Sequence, residues 1–417
     1  MAYDLFFNGS HYRYEQITIP VPRVDALAWM QKQSHIPKMY WKGKDEEAEY
    51  VALGNILSFT SPPVIAHEEG LRINLFGGRS FAHVEEDLTW KGFPHGLFFL
   101  PQFELRQDKN STELTLHFIN TEKNRDKINE LSFDYPPLEI VPTCVNSRQD
   151  SPSKEQWEDM ITASLQMIVD NKIAKVVLAR KTTLTLDKTI SPCALLKKIA
   201  GSQRASLFAL QLESSSLWIG VSPERLFLRK KNTLITEAIA GTTVRGKNQE
   251  EDLLLQKLLL SSTKLHKEFS SVEMFLQEKI SSLCLQTCAD VTHSIHQTPR
   301  LQHLYKKLEG EITPPLCDTT IMERLHPTPA VGGFPTKEAI DLLLEKEPFS
   351  RGWYAAPIGM QSKDYSHFAV GIRTALLREN SIHLFAGTGV VLGSDPEEEW
   401  EELELKISQY VEMLSSS

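Results

Sequence analysis

Two ionisable side chains in apolar surroundings are the first candidates for chemistry in this sequence. Lys175 opens the β-branched run KVVLARKTTLTL, which predicts a strand over 175–186. Glu224 lies in SPERLF, directly after the apolar strand SLWIGV. A buried lysine can act in its neutral form as a general base, and a buried glutamic acid can donate a proton. The two would form a base and acid pair if they face one pocket. In the alternatives, Lys175 lies at a sheet edge with its amine in water, and Glu224 is an ordinary turn carboxylate.

Three carboxylates on two predicted helices have the chemistry of a magnesium site. Glu399, Glu402 and Lys406 follow one another at steps of three and four along the acidic helix EEEWEELELKISQY. Glu268 lies in HKEFSSVEMF, on another predicted helix. Mg²⁺ takes few protein oxygens and keeps waters, so carboxylates from separate helices suit it. The acidic run can equally be a solvated helix face, and spacing alone does not show that the two helices meet.

Glycine-containing segments supply candidates for binding an anion. In TEAIAGTTVRG, Gly241 allows close approach of the backbone and Thr242 offers a hydroxyl, although such a glycine is more often a plain turn. HPTPAVGG (326–333) combines two prolines with two glycines, and it predicts either a rigid loop that lines a site or a structural turn. Arg373 lies in FAVGIRTALL, which we interpret as a strand facing LFAGTGVV with its Gly387. A guanidinium beside glycines suits a carboxylate, and a surface charge is the alternative.

These residues must be positioned by a mixed α and β chain. The first 150 residues are short apolar runs separated by turn residues. The remainder alternates strands with helices, which the periodicity places at 250–260, 266–282, 337–346 and 397–414. Ser151 and Pro152 predict a helix start, as N-cap and first helical residue, after a polar segment that marks a subdomain boundary. We expect a β-rich subdomain over 1–150 and a catalytic region over 151–417. Two predicted hairpins, ASLFALQL with SLWIGVS and FAVGIRTALL with SIHLFAGTGVV, indicate antiparallel sheets.

Composition narrows the class of protein. The chain has 417 residues, 24% of them charged, and a net charge of −9, which offers no basic surface for nucleic acid or for an anionic membrane. The sequence has no run of 18 apolar residues and no signal-peptide pattern at its N-terminus. Five scattered cysteines indicate reduced thiols and a cytoplasmic location. The acidic surface favours a monomer. An anionic ligand would need local positive charge in so acidic a protein.

Seven segments occur in a collinear order that resembles the chorismate-utilising enzymes, a family that includes isochorismate, anthranilate, aminodeoxychorismate and salicylate synthases. From Lys175 onward they are KVVLAR, SPERLF, TEAIAGT, HPTPAVGG, WYAAPIG, FAVGIR and LFAGTGVVLGSDPEEEWEELELK. YWKGKDE and FGGRSF, in the first 150 residues, match more loosely. The resemblance implies one large α+β domain, in which two antiparallel sheets pack face to face with helices outside and the active site between them.

Within that family, two positions favour the isochorismate synthase branch. Anthranilate-type enzymes usually have Gln at the position of Lys175 and use ammonia, whereas a lysine fits activation of water. Aminodeoxychorismate synthases have a lysine nucleophile at the position of Ala240. By resemblance, Lys175 activates a water that attacks C2 of chorismate, and Glu224 protonates the departing C4 hydroxyl. The alternatives are a salicylate synthase, which also eliminates pyruvate, an anthranilate-type enzyme with a glutaminase partner, and a non-catalytic chorismate-binding regulator. The preferred branch needs no glutaminase subunit.

The resemblance also assigns binding residues. Glu268 and Glu402 would hold Mg²⁺, with Glu399 acting through a water, and the ion would bind the ring carboxylate of chorismate. That cation would supply the positive charge that an acidic protein needs. The rest of the anion site would be formed by Gly241, Thr242, Ala330, Arg373, Gly387 and Lys406, with His326 close by. Menaquinone, a catecholate siderophore and salicylate all start from isochorismate, so the sequence does not select among these downstream pathways.

Overall fold

The computed structural model describes residues 3–82, 87–120, 124–201, 204–290, 293–298, 301–312 and 316–415. The strands within those ranges are β1 (Tyr3–Phe7), β2 (Ser10–Pro20), β3 (Lys38–Lys42), β4 (Glu49–Leu53), β5 (Leu57–Phe59), β6 (Ile65–His67), β7 (Leu75–Arg79), β8 (Gly96–Leu100), β9 (Phe103–Gln107), β10 (Thr112–Ile119), β11 (Val145–Ser151), β12 (Lys175–Leu186), β13 (Ser206–Glu213), β14 (Ser216–Ser222), β15 (Arg225–Lys230), β16 (Thr233–Val244), β17 (Cys284–Ala289), β18 (Ser294–Gln297), β19 (Leu301–Ile312), β20 (Gly333–Phe334), β21 (Pro357–Gln361), β22 (Tyr365–Val370), β23 (Thr374–Arg378) and β24 (Ser381–Val390). The α-helices are α1 (Ala26–Lys32), α2 (Lys154–Val169), α3 (Pro192–Ala200), α4 (Gln249–Ser261), α5 (Thr263–Leu283), α6 (Asp318–Leu325), α7 (Thr336–Lys346) and α8 (Pro396–Ser415).

The strands form two sheets whose described pairings are all antiparallel. The larger sheet has the order β11-β12-β24-β23-β14-β13-β3-β4-β9-β10-β2-β1-β6, with β20 beside β12. The smaller has the order β17-β19-β16-β15-β22-β21-β7-β8-β5, with β18 beside β19. Both sheets contain strands from either side of the expected boundary near Ser151, because β3 pairs with β13 and β7 pairs with β21.

The two sheets pack face to face around an aromatic interior. Trp41 of β3 contacts the ring of His367 on β22 at 5.7 Å between centroids, and Tyr50 of β4 contacts Phe76 of β7 at 6.0 Å. One cluster of buried apolar side chains runs through both sheets, and a smaller one lies around β1. The helices α2, α3 and α8 pack on strands of the larger sheet, and α4 and α5 pack on the smaller one. The predicted α+β fold with two facing antiparallel sheets and flanking helices is confirmed.

The start of α2 differs from the sequence prediction. Its N-cap is Ser153, whose hydroxyl accepts from the Gln156 N–H while the Gln156 side chain accepts from the Ser153 N–H. Ser151 instead ends β11, an edge strand that pairs with β12. Ser151 as N-cap is therefore wrong. The reason is that a glutamine three residues on gives Ser153 a reciprocal capping box, whereas Ser151 has Lys154 at that position.

The run FAVGIRTALL is not a single strand, and the prediction that Arg373 lies within one is wrong. β22 ends at Val370 in the smaller sheet, and β23 begins at Thr374 in the larger sheet. In the break, Gly371 has no room for a side chain, since an ideal Cβ would lie 2.8 Å from the Trp218 ring. Arg373 has a left-handed backbone with φ 54°. The chain thus changes sheets beside Arg373, although the hairpin of β23 with β24 is present as predicted.

Candidate active site

A cavity lies where β12, β16, β24 and the loop after α6 come together. Seven of the predicted site residues line it: Glu224, Thr242, Glu268, Ala330, Arg373, Gly387 and Lys406. Val177, two residues after Lys175 on β12, lines it as well. The structure therefore brings these seven predicted residues to one cavity, whereas Lys175, Glu399 and Glu402 are not among the residues that line it.

Lys175 is fully buried, with 0% of its surface exposed. Its Nζ lies 3.2 Å from Glu268 Oε1, so the amine and the carboxylate form an ion pair. Gly389 of β24 leaves room for both groups, because an ideal Cβ there would lie 2.5 Å from Glu268 Oε1 and 2.9 Å from Lys175 Cε. β12 is an interior strand between β11 and β24. The alternative of an edge lysine with its amine in water is therefore wrong.

Glu224 provides the second ionisable group of the cavity. The residue is 4% exposed, and burial raises the pKa of its carboxyl to about 7. The charges of Lys175 and Lys44 act in the opposite direction and lower that pKa, as does the Thr328 hydroxyl, whose Oγ1 lies 3.5 Å from Glu224 Oε1. Lys175 thus acts electrostatically on Glu224. A carboxyl of this kind is substantially protonated at neutral pH and can donate its proton.

The raised pKa of Glu224 predicts that Glu224→Gln increases stability at alkaline pH. Between about pH 4.5 and 7 the carboxyl is ionised in the unfolded chain but protonated in the fold, so its contribution to stability falls as the pH rises through that window. We expect the Gln variant to match the wild type near pH 4 and to exceed it by about 3 kcal/mol at pH 8. Chemical denaturation at both pH values measures this difference. A difference that does not change with pH would contradict the assignment.

The loop that carries Thr328 and Ala330 is fixed against β12. β20 pairs with the first two residues of β12, and Val177 N–H donates to Gly332 O at 2.8 Å. The Arg351 side chain links the loop to β12, because one guanidinium nitrogen donates to Val331 O and another to Val177 O, both at 2.6 Å. The loop is therefore a rigid wall of the cavity rather than a plain turn.

Two cations and a hydroxyl are available for the carboxylates of a ligand. Arg373 lines the cavity, and its position is set by the change of sheets and by Tyr410, whose hydroxyl donates to Arg373 O at 2.7 Å. Lys406 Nζ donates to Gly387 O at 2.8 Å. Thr242 follows a bulge in β16 at Gly241, which has φ 67° and itself does not line the cavity.

Sequence reasoning missed three residues of the site. His303 on β19 lines the cavity, its Nδ1 lies 3.1 Å from Thr242 Oγ1, and its Nε2 has no hydrogen-bond partner among the described residues. Burial keeps the pKa of His303 well below its usual value, so the ring is neutral. Tyr354 also lines the cavity, and Thr328 contacts Glu224. The two prolines around Thr328 were a sequence signal, whereas His303 lies in the mixed polar and apolar run LQHLYKKLEGEI, which does not single it out.

His326 is not among the residues that line the cavity. One ring nitrogen, Nε2, lies 2.9 Å from Ala355 O, and the ring packs edge-to-face on Phe81 at 5.5 Å between centroids. Burial lowers the pKa of His326 to about 3, so the ring is uncharged. The expected substrate-binding role of His326 therefore has no support in this geometry, because its ring is engaged by the backbone and by an aromatic neighbour.

The carboxylates predicted to hold a metal lie on α5 and α8. Glu402 is hydrogen-bonded to Lys406, and Glu399 accepts from Thr388 and from Lys264. Burial, followed by the neighbouring Glu402, raises the pKa of Glu399. Over the described ranges, no three histidine, cysteine, aspartate or glutamate side chains are close enough together to hold one metal ion. A site made of two of these carboxylates, completed by waters and substrate oxygens, stays a prediction.

Comparison with known proteins identifies the family of this chain. The family model described as chorismate binding enzyme matches residues 8–415, and the chain belongs to that family. Among its relatives, the isochorismate synthase MenF of Haemophilus influenzae is 31% identical over 408 residues, which cover 95% of this chain and 91% of the relative. The isochorismate synthase MenF of Bacillus subtilis is 33% identical over 350 residues, covering 82% and 74%. A solved structure of MenF, the menaquinone-specific isochorismate synthase from Escherichia coli, matches with a TM-score of 0.86 at 27% identity, covering 96% and 94%.

Proposed function

We propose that this chain is an isochorismate synthase, which converts chorismate to isochorismate in the presence of Mg²⁺. The observation that carries the proposal is the buried Glu224, which lines the cavity with a pKa of about 7 and feels the charge of the buried Lys175, two residues before the lining residue Val177. The relatives named isochorismate synthase MenF, which match over most of the chain, support the same reaction.

The two residues would divide the proton transfers of the isomerisation between them. Lys175, as a neutral amine, accepts a proton from water as the water oxygen forms a bond to C2 of chorismate. Glu224 donates its proton to the C4 hydroxyl, which leaves as water while the ring double bonds shift. One water enters and one leaves, so the product is an isomer of the substrate. The reaction needs a deprotonated amine and a protonated carboxyl, and burial raises the pKa of Glu224 toward the protonated form.

Positive charge would orient the two carboxylates of the substrate. Arg373 and Lys406 both line the cavity and offer charged donors, and a guanidinium can bind a carboxylate with two hydrogen bonds. Glu268 and Glu402 are the residues that would hold Mg²⁺, with Glu399 contributing through a water. When bound, the ion supplies positive charge at the ring carboxylate. Its two charges would offset those of a dianionic substrate in a protein of net charge −9.

The metal assignment predicts that Glu402→Ala weakens Mg²⁺ binding. Loss of one of two protein carboxylates is expected to raise the Mg²⁺ concentration for half-maximal turnover at least about tenfold. Titration calorimetry with Mg²⁺ alone gives a readout independent of turnover. Glu401→Ala serves as the matched control, because Glu401 is exposed on the same helix. The assignment would be wrong if both variants showed the Mg²⁺ dependence of the wild type.

Incubation with chorismate and Mg²⁺, followed by chromatography of the products, tests the proposed function. Isochorismate as the main product supports it. Salicylate with pyruvate would instead indicate a salicylate synthase, and anthranilate formed with ammonia would indicate the amine-forming branch. Binding of chorismate without any conversion would indicate a regulator.

Several expectations about the environment of the protein stay predictions. They are a monomer, no glutaminase subunit, no nucleic-acid partner and a cytoplasmic location. Among the described helices, none combines the length and the hydropathy needed to span a membrane.

A further inference from the structure

We propose that Lys44, from the first 150 residues, is a positioning residue for the general acid Glu224: it holds the peptide group that precedes Glu224 and places a positive charge near the carboxyl. Lys44 lies in YWKGKDE, between β3 and β4, a segment that the proposed mechanism does not otherwise use. The inference rests on the proposed role of Glu224.

The contacts of the Lys44 amine carry the proposal. The residue is 2% exposed, and its Nζ donates at 2.9 Å to Pro223 O and at 2.6 Å to Glu237 Oε2. Pro223 lines the cavity, and its carbonyl belongs to the peptide bond that joins it to Glu224. The amine therefore fixes the backbone directly in front of the acid. Loss of this donor would leave a buried carbonyl and a buried carboxylate each short of one partner.

The residue after Glu224 is tied to the same cluster. Arg225 donates from Nη1 to Glu237 Oε1 at 2.6 Å and from Nη2 to Lys44 O at 3.0 Å. Glu237 lies on β16, three residues before Ala240, which lines the cavity. Lys44 and Glu237 thus hold the peptide group before the acid and the side chain of the residue after it, and Glu237 connects both to a cavity strand. Misplacement of a reacting group by about 1 Å can lower the rate about a hundredfold, so residues that hold the acid in place can have a large effect on turnover.

The charges around Glu224 shift the pKa of its carboxyl, and Lys44 is one of them. Lys175 and Lys44 both lower the pKa of its carboxyl, whereas Glu237 raises it, and the remaining polar contact is the Thr328 hydroxyl. Removal of Lys44 would leave the negative charge of Glu237 less opposed, so the pKa of Glu224 would rise.

The surroundings of Lys44 itself contain other charged and titratable groups. Glu237, Arg225 and Asp45 are the charged ones, and the Tyr305 ring lies 5.5 Å from the amine. His296 and His367 are neutral, because burial lowers the pKa of His296 to about 4 and keeps that of His367 well below its usual value.

Infrared difference spectroscopy tests the proposal without substrate. The carbonyl band of protonated Glu224 is identified by its loss in Glu224→Gln, and its pH titration gives a midpoint. We expect a midpoint near pH 7 in the wild type and a midpoint higher by about one pH unit in Lys44→Met. Turnover of chorismate should fall at least about tenfold in the same variant. An unchanged midpoint together with unchanged turnover would overturn the proposal.

Two further variants separate positioning from loss of stability. Lys44→Met/Glu237→Gln removes both members of the Lys44–Glu237 pair and leaves Arg225 its other ion partner, Asp45, at 3.2 Å, so stability should recover relative to Lys44→Met. Its midpoint should return toward that of the wild type, while turnover stays low because Pro223 O still lacks its donor. Full recovery of turnover would overturn the positioning role.

Lys38→Met is the matched control. Lys38 is also a buried lysine of the first 150 residues, and its Nζ donates to Met30 O at 3.2 Å and to Gln33 O at 2.6 Å. Its loss should lower stability without moving the Glu224 midpoint or the turnover of the folded protein. Equal effects of Lys38→Met and Lys44→Met would overturn the proposal. Failure of the wild type to form isochorismate would overturn the proposed function alone, because the midpoint is measured without turnover.

Discussion

Lys175→Ala is expected to reduce the turnover of chorismate by at least about a hundredfold, because it removes the group that accepts a proton from the attacking water. The amine is buried, and within the described part of the chain its carboxylate partner is Glu268, at 3.2 Å. Discontinuous product assays at saturating chorismate and Mg²⁺ measure the effect. Lys175→Gln should be equally inactive while replacing more of the lost volume.

Lys181→Ala provides the control for that variant. Lys181 lies on the same strand, and its Nζ donates to Thr89 Oγ1 at 2.9 Å, outside the residues that line the cavity. This variant should keep the turnover of the wild type. Full turnover by Lys175→Ala would exclude the amine as the base and would leave the proposed mechanism without a proton acceptor.

Glu224→Gln is expected to lower turnover by a similar factor, on the order of a hundredfold or more. Glutamine keeps the shape and the buried position of the side chain but has no acidic proton to give to the departing hydroxyl. Since the neutral amide avoids ionisation of a buried carboxyl, the variant should lose activity while remaining at least as stable as the wild type at pH 8. That combination distinguishes a lost acid from a damaged fold.

Glu213→Gln is a suitable comparison for the acid. Its carboxylate pairs with Arg378 and does not line the cavity, so turnover should be unaffected. If Glu224→Gln turned over chorismate at the rate of Glu213→Gln, another group would have to supply the proton.

The parts of the site that could be predicted are those that can be recognised from a short stretch of sequence. A lysine that opens an apolar strand and a glutamate that follows one can each be recognised from a few neighbouring residues. The ordered series of segments then indicated that these parts share one pocket. The long amphipathic helices α4, α5, α7 and α8 were located to within three residues at each end because their 3.6-residue periodicity is strong.

The features that were missed depend on contacts between distant segments. FAVGIRTALL has no period-2 alternation whose break could mark the change of sheets, and its isolated Gly371 is a local sign of a bend but not of a second sheet. His303 becomes part of the cavity only because β19 pairs with β16, which places it opposite Thr242. His326 was assigned to the site by the family resemblance, and the structure places its ring against Ala355 O and Phe81 instead of among the lining residues. Direction of a side chain within a loop is set by tertiary packing, which no local pattern encodes.

Because β3 and β7 lie inside the two sheets, the first 150 residues cannot easily be removed or exchanged. β3 is hydrogen-bonded to β13, and β7 to β21, so residues 1–150 complete both sheets rather than adding a separate layer. A chain without them would expose the edges of β12, β13 and β21, because β11 of the same segment pairs with β12, and exposed strand edges are templates for aggregation. An exchange of the first 150 residues between homologues would have to preserve all three strand registers at once, so recombination at that point should rarely yield a folded chimera.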